Sequence, residues 1–419
     1  MKLYPHQQDV LEKTKDKNRV AYYLDMGLGK TFVGSEKLIQ LGEKINLVVC
    51  QKSKIKDWYH HFCEFYGVGN VIFNLTNKAE FDQFMNFPSC EQNLIGIINY
   101  DLVFRRPELL DLKDFTLLLD ESSQIQNHKA KRSKFILKMD PQNVILLSGT
   151  PVSGKYENLW TQSTLLGWPI KYNTFQKQYV NYKTLDVGGV KIPVVDGYKN
   201  VDRLKRKLRD HGAVFMKTEE VVDLPDQNFI DVMCDNTPEY RRFKRDKIIS
   251  MGDDVLVGDR ILKYRMYLKF LANQYNSKKI EALRDILGSS NDRLIVFYNY
   301  NEELSQILSC APREHVSIIN GKIKDLEAYN RYSDSLTCVQ YQAGAMGLNL
   351  QKANKIIYFS PTESSELFEQ SKKRIHRIGQ NKPCFYYLLK TRNSIDEDIY
   401  KALAERRDYT NELFKESLR

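Results

Sequence analysis

The sequence has no C-x-x-C pair and no histidine at zinc-ligand spacing among its seven scattered cysteines, Cys50, Cys63, Cys90, Cys234, Cys310, Cys338 and Cys384. This excludes a disulfide framework or a zinc knuckle as the source of the fold, and predicts buried or idle thiols in a reducing, cytoplasmic setting. The stretch Met1 to His6 lacks the apolar core of a signal peptide, and no apolar run is long enough to cross a bilayer, so no membrane partner is expected. Low-complexity segments and internal repeats are also missing, which removes extended disorder and solenoid architectures. What remains is an ordinary globular composition, 42% hydrophobic and 28% charged, over 419 residues, enough to bury at least two domain cores. Lys and Arg exceed Asp and Glu by 63 to 53, a net charge of +10 that would attract a polyanion but also serves simple solubility.

Short apolar, β-branched runs alternate with longer helical patterns at Val20–Leu24, Leu47–Cys50, Leu94–Ile98, Leu117–Leu119 and Val144–Leu147. None shows period-two polarity, as expected for central parallel strands covered on both faces. From about Trp160 to Asn276 the pattern reads as mostly helical, rich in Lys, Arg and Tyr, with a turn at Gly188-Gly189 and a break at Pro193. Alternation resumes at Leu294–Phe297, Val316–Ile319, Thr337–Tyr341, Lys355–Phe359 and Phe385–Leu389. The expected fold class is therefore α/β, with two parallel-sheet lobes at 1–160 and 225–419 and a helical insertion and junction at 161–224.

After the first strand comes Asp25-Met26-Gly27-Leu28-Gly29-Lys30-Thr31 and then a helical stretch, the strand, loop, helix context of a phosphate-binding loop. Gly27 and Gly29 would admit backbone N–H groups to the phosphates, with Leu28 between them, while Lys30 neutralises oxygens and Thr31 holds Mg²⁺. The usual first glycine is absent, its place taken by Leu24, so a glycine-rich turn without function is the competing reading. A second signal decides against that turn. Thr116-Leu117-Leu118-Leu119-Asp120-Glu121 runs an apolar strand into two carboxylates, Asp120 suited to Mg²⁺ and Glu121 to positioning the attacking water.

Together with Ser148-Gly149-Thr150-Pro151, these segments resemble helicase superfamily two, particularly its Swi/Snf branch. The resemblance implies two RecA-like lobes and spans the chain. Leu3-Tyr4-Pro5-His6-Gln7 is similar to the family's opening element, in which the glutamine, here Gln7, reads adenine. Gln342 to Leu350 is similar to motif five, and Gln370 through Arg374-Ile375-His376-Arg377-Ile378-Gly379-Gln380 to motif six. Arg374 and Arg377, at i and i+3, would share one face of a helical turn and resemble arginine fingers for a γ-phosphate; a solvated basic face is the plain alternative. Trp58 and Tyr100-Asp101 follow strands as motifs one-a and one-b do, and Lys217 with Leu224-Pro225 resembles the junction between lobes. Four positions depart from the pattern: Ser123 replaces a histidine, Gln51 a proline, Gly154 an asparagine, and Pro361-Thr362-Glu363 the Trp-Asn-Pro after motif five. They leave the ATP chemistry intact and bear on coupling to DNA.

The resemblance implies a monomeric, compact ATP-dependent translocase on duplex or branched DNA, working in replication, recombination or repair, whose lobes close on ATP. Ser148, Thr150 and Gln370 would couple the nucleotide to the track. Lys52, Ser53, Tyr100 and Arg132, with Asn299, Gln342 and Gly344, would touch DNA phosphates, and the basic stretches Arg203–Arg209 and Arg241–Lys247 would extend that track or form solvated helix faces. Three other readings share these residues: a strand-separating helicase on DNA or RNA, a DNA-stimulated ATPase that displaces proteins from DNA, and a nucleic-acid scaffold with a dead ATP site, the last requiring a missing catalytic residue that the chain does not lack.

Overall fold

A computed structural model describes residues 3–87, 92–187, 190–251, 254–311, 313–344 and 348–414. The chain divides into two compact units, Met1–Val221 with Asp408–Arg419, and Val222–Arg407.

The first unit contains β1 (Arg19–Leu24), β2 (Ile45–Cys50), β3 (Asn70–Asn74), β4 (Asn93–Asn99), β5 (Phe115–Asp120), β6 (Asn143–Leu147), β7 (Val180–Val187), β8 (Val190–Tyr198) and β9 (Ala213–Met216). Seven of these form a parallel sheet in the order β3-β4-β2-β5-β6-β1-β9. Successive side chains leave opposite faces of a strand. Ala21, Tyr23, Leu117, Leu119, Val144 and Leu146 accordingly enter one core, and Val20, Tyr22, Leu24, Leu118, Ile145 and Leu147 another. Burial on both faces explains why these strands read as unbroken apolar runs.

The segment after residue 160 differs from the helical insertion expected there. It holds helices Leu159–Leu165, Tyr172–Tyr179 and Val201–Asp210, but also the antiparallel hairpin β7–β8, whose Val180, Tyr182 and Thr184 alternate with polar residues at the strand period. Gly188-Gly189, the expected turn, lies outside the described residues. β9 pairs with β1, Ala21 opposite Ala213 and Leu24 opposite Met216, so the segment up to Val221 belongs to the first unit rather than to a separate insertion.

The second unit adds β10 (Gln227–Cys234), β11 (Ile248–Met251), β12 (Asp254–Val257), β13 (Leu294–Tyr298), β14 (Val316–Ile319), β15 (Leu336–Gln340), β16 (Lys355–Tyr358) and β17 (Cys384–Thr391). Its six-stranded parallel sheet runs β10-β17-β16-β13-β15-β14, and β11–β12 form a separate antiparallel hairpin. Helix Ser277–Gly288 is held by a fully buried ion pair, Lys279 Nζ to Asp396 Oδ2 at 2.6 Å, which Asn273 Oδ1 completes by accepting from the same ammonium. Removing one member would strand a buried charge, at a cost of about 3–5 kcal/mol.

Candidate nucleotide site

In a parallel sheet, loops leaving the carboxyl ends of neighbouring strands share one edge. The order β5-β6-β1 therefore brings Asp120-Glu121, Ser148-Gly149-Thr150 and the loop Asp25–Gly29 side by side. Helix Lys30–Leu41 starts at that edge and packs closely on β6: a Cβ at Gly34 would stand 2.8 Å from Leu147 Cδ1. Gly29, at φ +75°, supplies the left-handed turn into the helix, and a Cβ there would meet Gln7 Nε2 at 2.1 Å. Gly27 is likewise left-handed, at φ 94°, and exposed.

Lys30 Nζ donates to the carbonyls of Leu24 at 3.0 Å and Asp25 at 3.4 Å, so the ammonium lies folded within its own loop. A Cβ at Gly149 would be 3.2 Å from that ammonium, which sets the loop after β6 directly against it. Gln7 uses both ends of its amide: Oε1 accepts from Tyr4 N at 2.9 Å and Nε2 donates to Leu28 O at 3.2 Å. The Leu28 side chain is buried in the core, leaving its backbone as the only part that faces the loop. Thr31 begins the helix with a partly buried side chain, its carbonyl accepting from Ser35 Oγ at 2.8 Å.

Asp120 ends β5 with its carboxylate braced: Trp58 Nε1 donates to Oδ2 at 2.8 Å, and Tyr100 Oη donates to the main-chain oxygen at 2.9 Å. Burial raises the Asp120 carboxyl above its ordinary range, while the Trp58 hydrogen bond, the Lys30 and Lys54 charges and the Glu121 N–H act the other way. The backbone then bends sharply at Glu121, a left-handed residue at φ 51° and ψ 61°, into the 3₁₀ turn Ser122–Ile125. Ser148 is fully buried and its Oγ accepts from Thr150 N at 3.1 Å, closing the turn of the third motif.

A metal here would find one carboxylate, Asp120, and one hydroxyl, Thr31. No group of three or more His, Cys, Asp or Glu side chains suited to an ion exists among the described residues. Such a donor set is thin for a resident ion but fits Mg²⁺, which keeps waters and takes the rest of its shell from nucleotide phosphates. The partly buried, lysine-flanked carboxylate supports the same fit.

Sequence reasoning missed the residue that binds these loops together. Gln162 is fully buried on helix Leu159–Leu165; its Oε1 accepts from Tyr23 Oη at 3.0 Å and Ser122 Oγ at 2.8 Å, and its Nε2 donates to Pro151 O at 2.8 Å. One side chain thereby joins β1, the turn after Glu121 and the third motif. Gln126 repeats the scheme nearer the surface, donating to Ser153 Oγ at 3.1 Å and accepting from Asn158 Nδ2 at 2.9 Å. The neighbours of Gln162, namely Thr161, Ser163 and Thr164, are polar as well, so nothing in the sequence sets it apart.

In the second unit, helix Ser365–Lys372 carries Gln370, which is buried and donates to Glu366 Oε1 at 3.3 Å. The helix stops before the two arginines, which lie in the turns that follow rather than on one helical face. Arg374 is 2% exposed and its Nη1 donates to Leu348 O at 3.4 Å, whereas Arg377 is half-buried and its Nη1 reaches Asn349 Oδ1 at 2.5 Å. Gln380 fixes these turns by donating to the carbonyls of Gln351, Ala353 and Ile375. His376, also buried, pairs through Nε2 with Pro225 O at 2.9 Å.

The expected nucleic-acid contacts fall into two groups. Lys52 and Ser53 are exposed on the 3₁₀ turn after β2, Gln342 is exposed after β15, and Arg132 is partly exposed with Nη1 3.6 Å from Asp101 Oδ1. Tyr100 is a correction: it is 3% exposed, and its hydroxyl is spent on Asp120, so it braces the carboxylate strand instead of offering a surface to DNA. Asn299 is also turned inward, its Nδ2 donating to Ser360 Oγ at 2.8 Å and Pro361 O at 3.0 Å. Gly344 closes the helical turn Tyr341–Gly344, and Ala345, Met346 and Gly347 lie outside the described residues.

Comparison with known proteins adds independent findings. Residues 23–276 match the SNF2-related domain and residues 278–379 the helicase conserved C-terminal domain. The chain is similar to the DNA repair and recombination protein RAD26 of Saccharomyces cerevisiae, 24% identical over 350 residues that cover 73% of this chain and 32% of that protein. It is similar to the putative ATP-dependent helicase/translocase YwqA of Bacillus subtilis, 22% identical over 430 residues, 93% of this chain and 46% of the other. The Sulfolobus solfataricus SWI2/SNF2 ATPase core in complex with dsDNA aligns over 100% of this chain and 94% of that one, with 19% identity and a TM-score of 0.46. The chain spans from about a third to half the length of the curated relatives it matches.

Proposed function

Because the chain belongs to the SNF2-related family, we propose that it is a DNA-dependent ATPase that translocates on duplex DNA, in replication, recombination or repair. The observation that carries this reading is the partly buried Asp120 carboxylate, braced by Trp58 and flanked by the Lys30 loop on the shared edge of β5, β6 and β1. Phosphoryl transfer asks mainly for positioning and charge, and these residues supply both.

In this reading the N–H groups from Gly27 to Thr31 cradle the phosphates, and Lys30 exchanges its two loop carbonyls for phosphate oxygens. Thr31 and Asp120 hold Mg²⁺, which neutralises charge on the phosphate oxygens when bound. Glu121, placed by its left-handed backbone, orients the attacking water. Arg377, the more accessible of the motif six arginines, supplies charge to the γ-phosphate, and Arg374 shapes the turn around it. Lys52, Ser53, Arg132 and Gln342 contact DNA phosphates without reading sequence.

Repair and recombination work is favoured by the relatives, two of which carry those words in their names. The test is phosphate release with no DNA, single strands, duplex, forks and four-way junctions. Duplex or branched DNA should stimulate more than single strands; equal stimulation would remove the duplex preference, and no stimulation would remove the motor. Displacement of a triplex-forming strand without fork unwinding separates translocation from the strand-separating alternative.

A further inference from the structure

A second basic feature lies away from the nucleotide residues, within the second unit. A groove of about 720 Å³ is lined by Arg241, Lys244 and Arg245 from helix Pro238–Asp246, by Arg392 and Asn393 after β17, and by Asp235 after β10. In sequence the first three are an ordinary charged helix face. The fold adds Arg392 from about 150 positions further on, making four cations against one lining carboxylate.

The cations are only partly neutralised. Arg392 Nε is 3.5 Å from Asp235 Oδ1 in a pair that is more than half exposed, and Arg245 Nε donates to Asp246 Oδ1 at 2.7 Å. Arg241 and Lys244 form no ion pair among the described residues, and spacing at i and i+3 sets them on one helix face. The wall that carries them is rigid. Tyr240 is 1% exposed, and its hydroxyl accepts from Ile395 N at 2.8 Å; Phe243 is fully buried beside it. On the opposite wall, Asn236 Nδ2 donates to Arg392 O at 2.9 Å, and Arg392 N donates to Cys234 O at 2.9 Å.

Position selects the ligand. The groove opens where β10 and β17 end, on the same carboxyl edge as Asn299 after β13 and Gln342 after β15. β10 is three places from β13 in the sheet, about 14 Å at ~4.8 Å per strand, which equals the rise of about four base pairs at ~3.4 Å each. An open channel of cations only partly neutralised by Asp235 and Asp246, in line with the exposed Gln342 along one sheet edge, fits a run of regularly spaced phosphates.

We propose that the groove formed by Arg241, Lys244, Arg245 and Arg392 is a second docking site for the phosphodiester backbone of DNA, extending the track beyond the loops after β13 and β15. It rests on the DNA-motor reading above. Each phosphate engaged there releases a counterion, so the groove contributes to affinity in a strongly salt-dependent way.

The experiment uses the full chain and measures equilibrium binding of a random-sequence duplex across a salt series. The wild type is compared with a triple variant, Arg241→Gln, Lys244→Gln and Arg392→Gln, and with a charge-keeping pair, Arg241→Lys and Arg392→Lys. The triple variant should lower the slope of log K against log[salt] by about 2–3, at ~0.9 per lost phosphate contact, while the lysine pair keeps the wild-type slope. An unchanged slope in the triple variant overturns the proposal, as does an unchanged slope with loss of polyglutamate binding, which would assign the groove to an acidic protein. A single Arg241→Gln variant, expected to lower the slope by about 1, serves if the triple variant melts early. Failure of the wild type itself to bind duplex would sink the motor reading instead, so the two failures are distinguishable.

Discussion

The indole Nε1 of Trp58 donates to Oδ2 of Asp120 at 2.8 Å, linking helix Ile55–Tyr66 to the carboxylate at the end of β5. The bond favours the ionised form and so opposes the upward push that desolvation gives this carboxyl. Trp58→Phe keeps an aromatic ring, smaller than the buried indole, and removes the donor. ATP turnover should fall about tenfold, equivalent to ~1.4 kcal/mol, and the acid limb of its pH profile should move to higher pH. A uniform drop with no displacement of that limb would mean that the indole only packs.

Lys30→Ala and Glu121→Gln should each abolish hydrolysis, measured as phosphate release at saturating ATP and DNA. Glu121→Gln should still bind nucleotide, because the change leaves the loop Asp25–Gly29 and the Lys30 ammonium in place.

Arg374 and Arg377 should separate cleanly. Arg374→Ala empties a buried position and should lower the unfolding midpoint of the second unit, with a cost of about 3 kcal/mol. Arg377→Ala, at a half-buried site, should leave the midpoint near wild type and eliminate DNA-stimulated hydrolysis while sparing ATP binding. Normal turnover in Arg377→Ala would remove it from the chemistry.

Gln162→Leu leaves Tyr23 Oη, Ser122 Oγ and Pro151 O without their common partner inside the first unit. Urea unfolding should register a loss of about 3 kcal/mol, since stranded buried polar groups cost roughly 1–3 kcal/mol each. Turnover should fall as well, because the same side chain holds the loops of two motifs.

Two buried groups, one in each unit, should respond to pH in opposite directions. Burial raises the Glu303 carboxyl to about 7, although Asn299 N, Tyr300 N and Ser360 Oγ all donate to it. Folding therefore takes up a proton at Glu303 between 4.5 and about 7; the contribution of this group to the stability of the second unit is most favourable below 4.5 and declines as pH rises through that window. Burial lowers His61 to about 4, so its contribution to the stability of the first unit is most favourable above 6.5 and is lost as pH falls toward 4. Peptide-resolved hydrogen exchange at pH 5 and 7, corrected for intrinsic rates, should display the crossing, and Glu303→Gln should flatten the response of the second unit alone.

The central strands were legible because residues buried on both faces make apolar runs, as in Val20–Leu24 and Leu117–Leu119. β3 and β10 were not, since edge strands such as Asn70–Asn74 and Gln227–Cys234 carry polar residues that break such runs. The β7–β8 hairpin hid for a related reason: its alternating Lys, Tyr and Asp resemble a polar helix when burial is unknown. At the site, residue types with fixed jobs stood out, among them Lys30 and Asp120. Which way Tyr100 and Asn299 turn did not, because a residue at a strand end can face the core or the edge with the same neighbours in sequence. Gln162 was hidden by distance, its partners lying 139, 40 and 11 positions away.

Were Gln7 to read adenine, as the resemblance implies, its amide would limit nucleotide selectivity. Its Nε2 is already donated to Leu28 O and its Oε1 already accepts from Tyr4 N, so an arriving base must outbid the loop for the same side chain. The gain is then the difference between two hydrogen bonds, on the order of 1 kcal/mol, rather than the full value of one. Preference for adenine drawn from this residue would be capped near five- to tenfold, and any sharper discrimination would have to come from other contacts to the base.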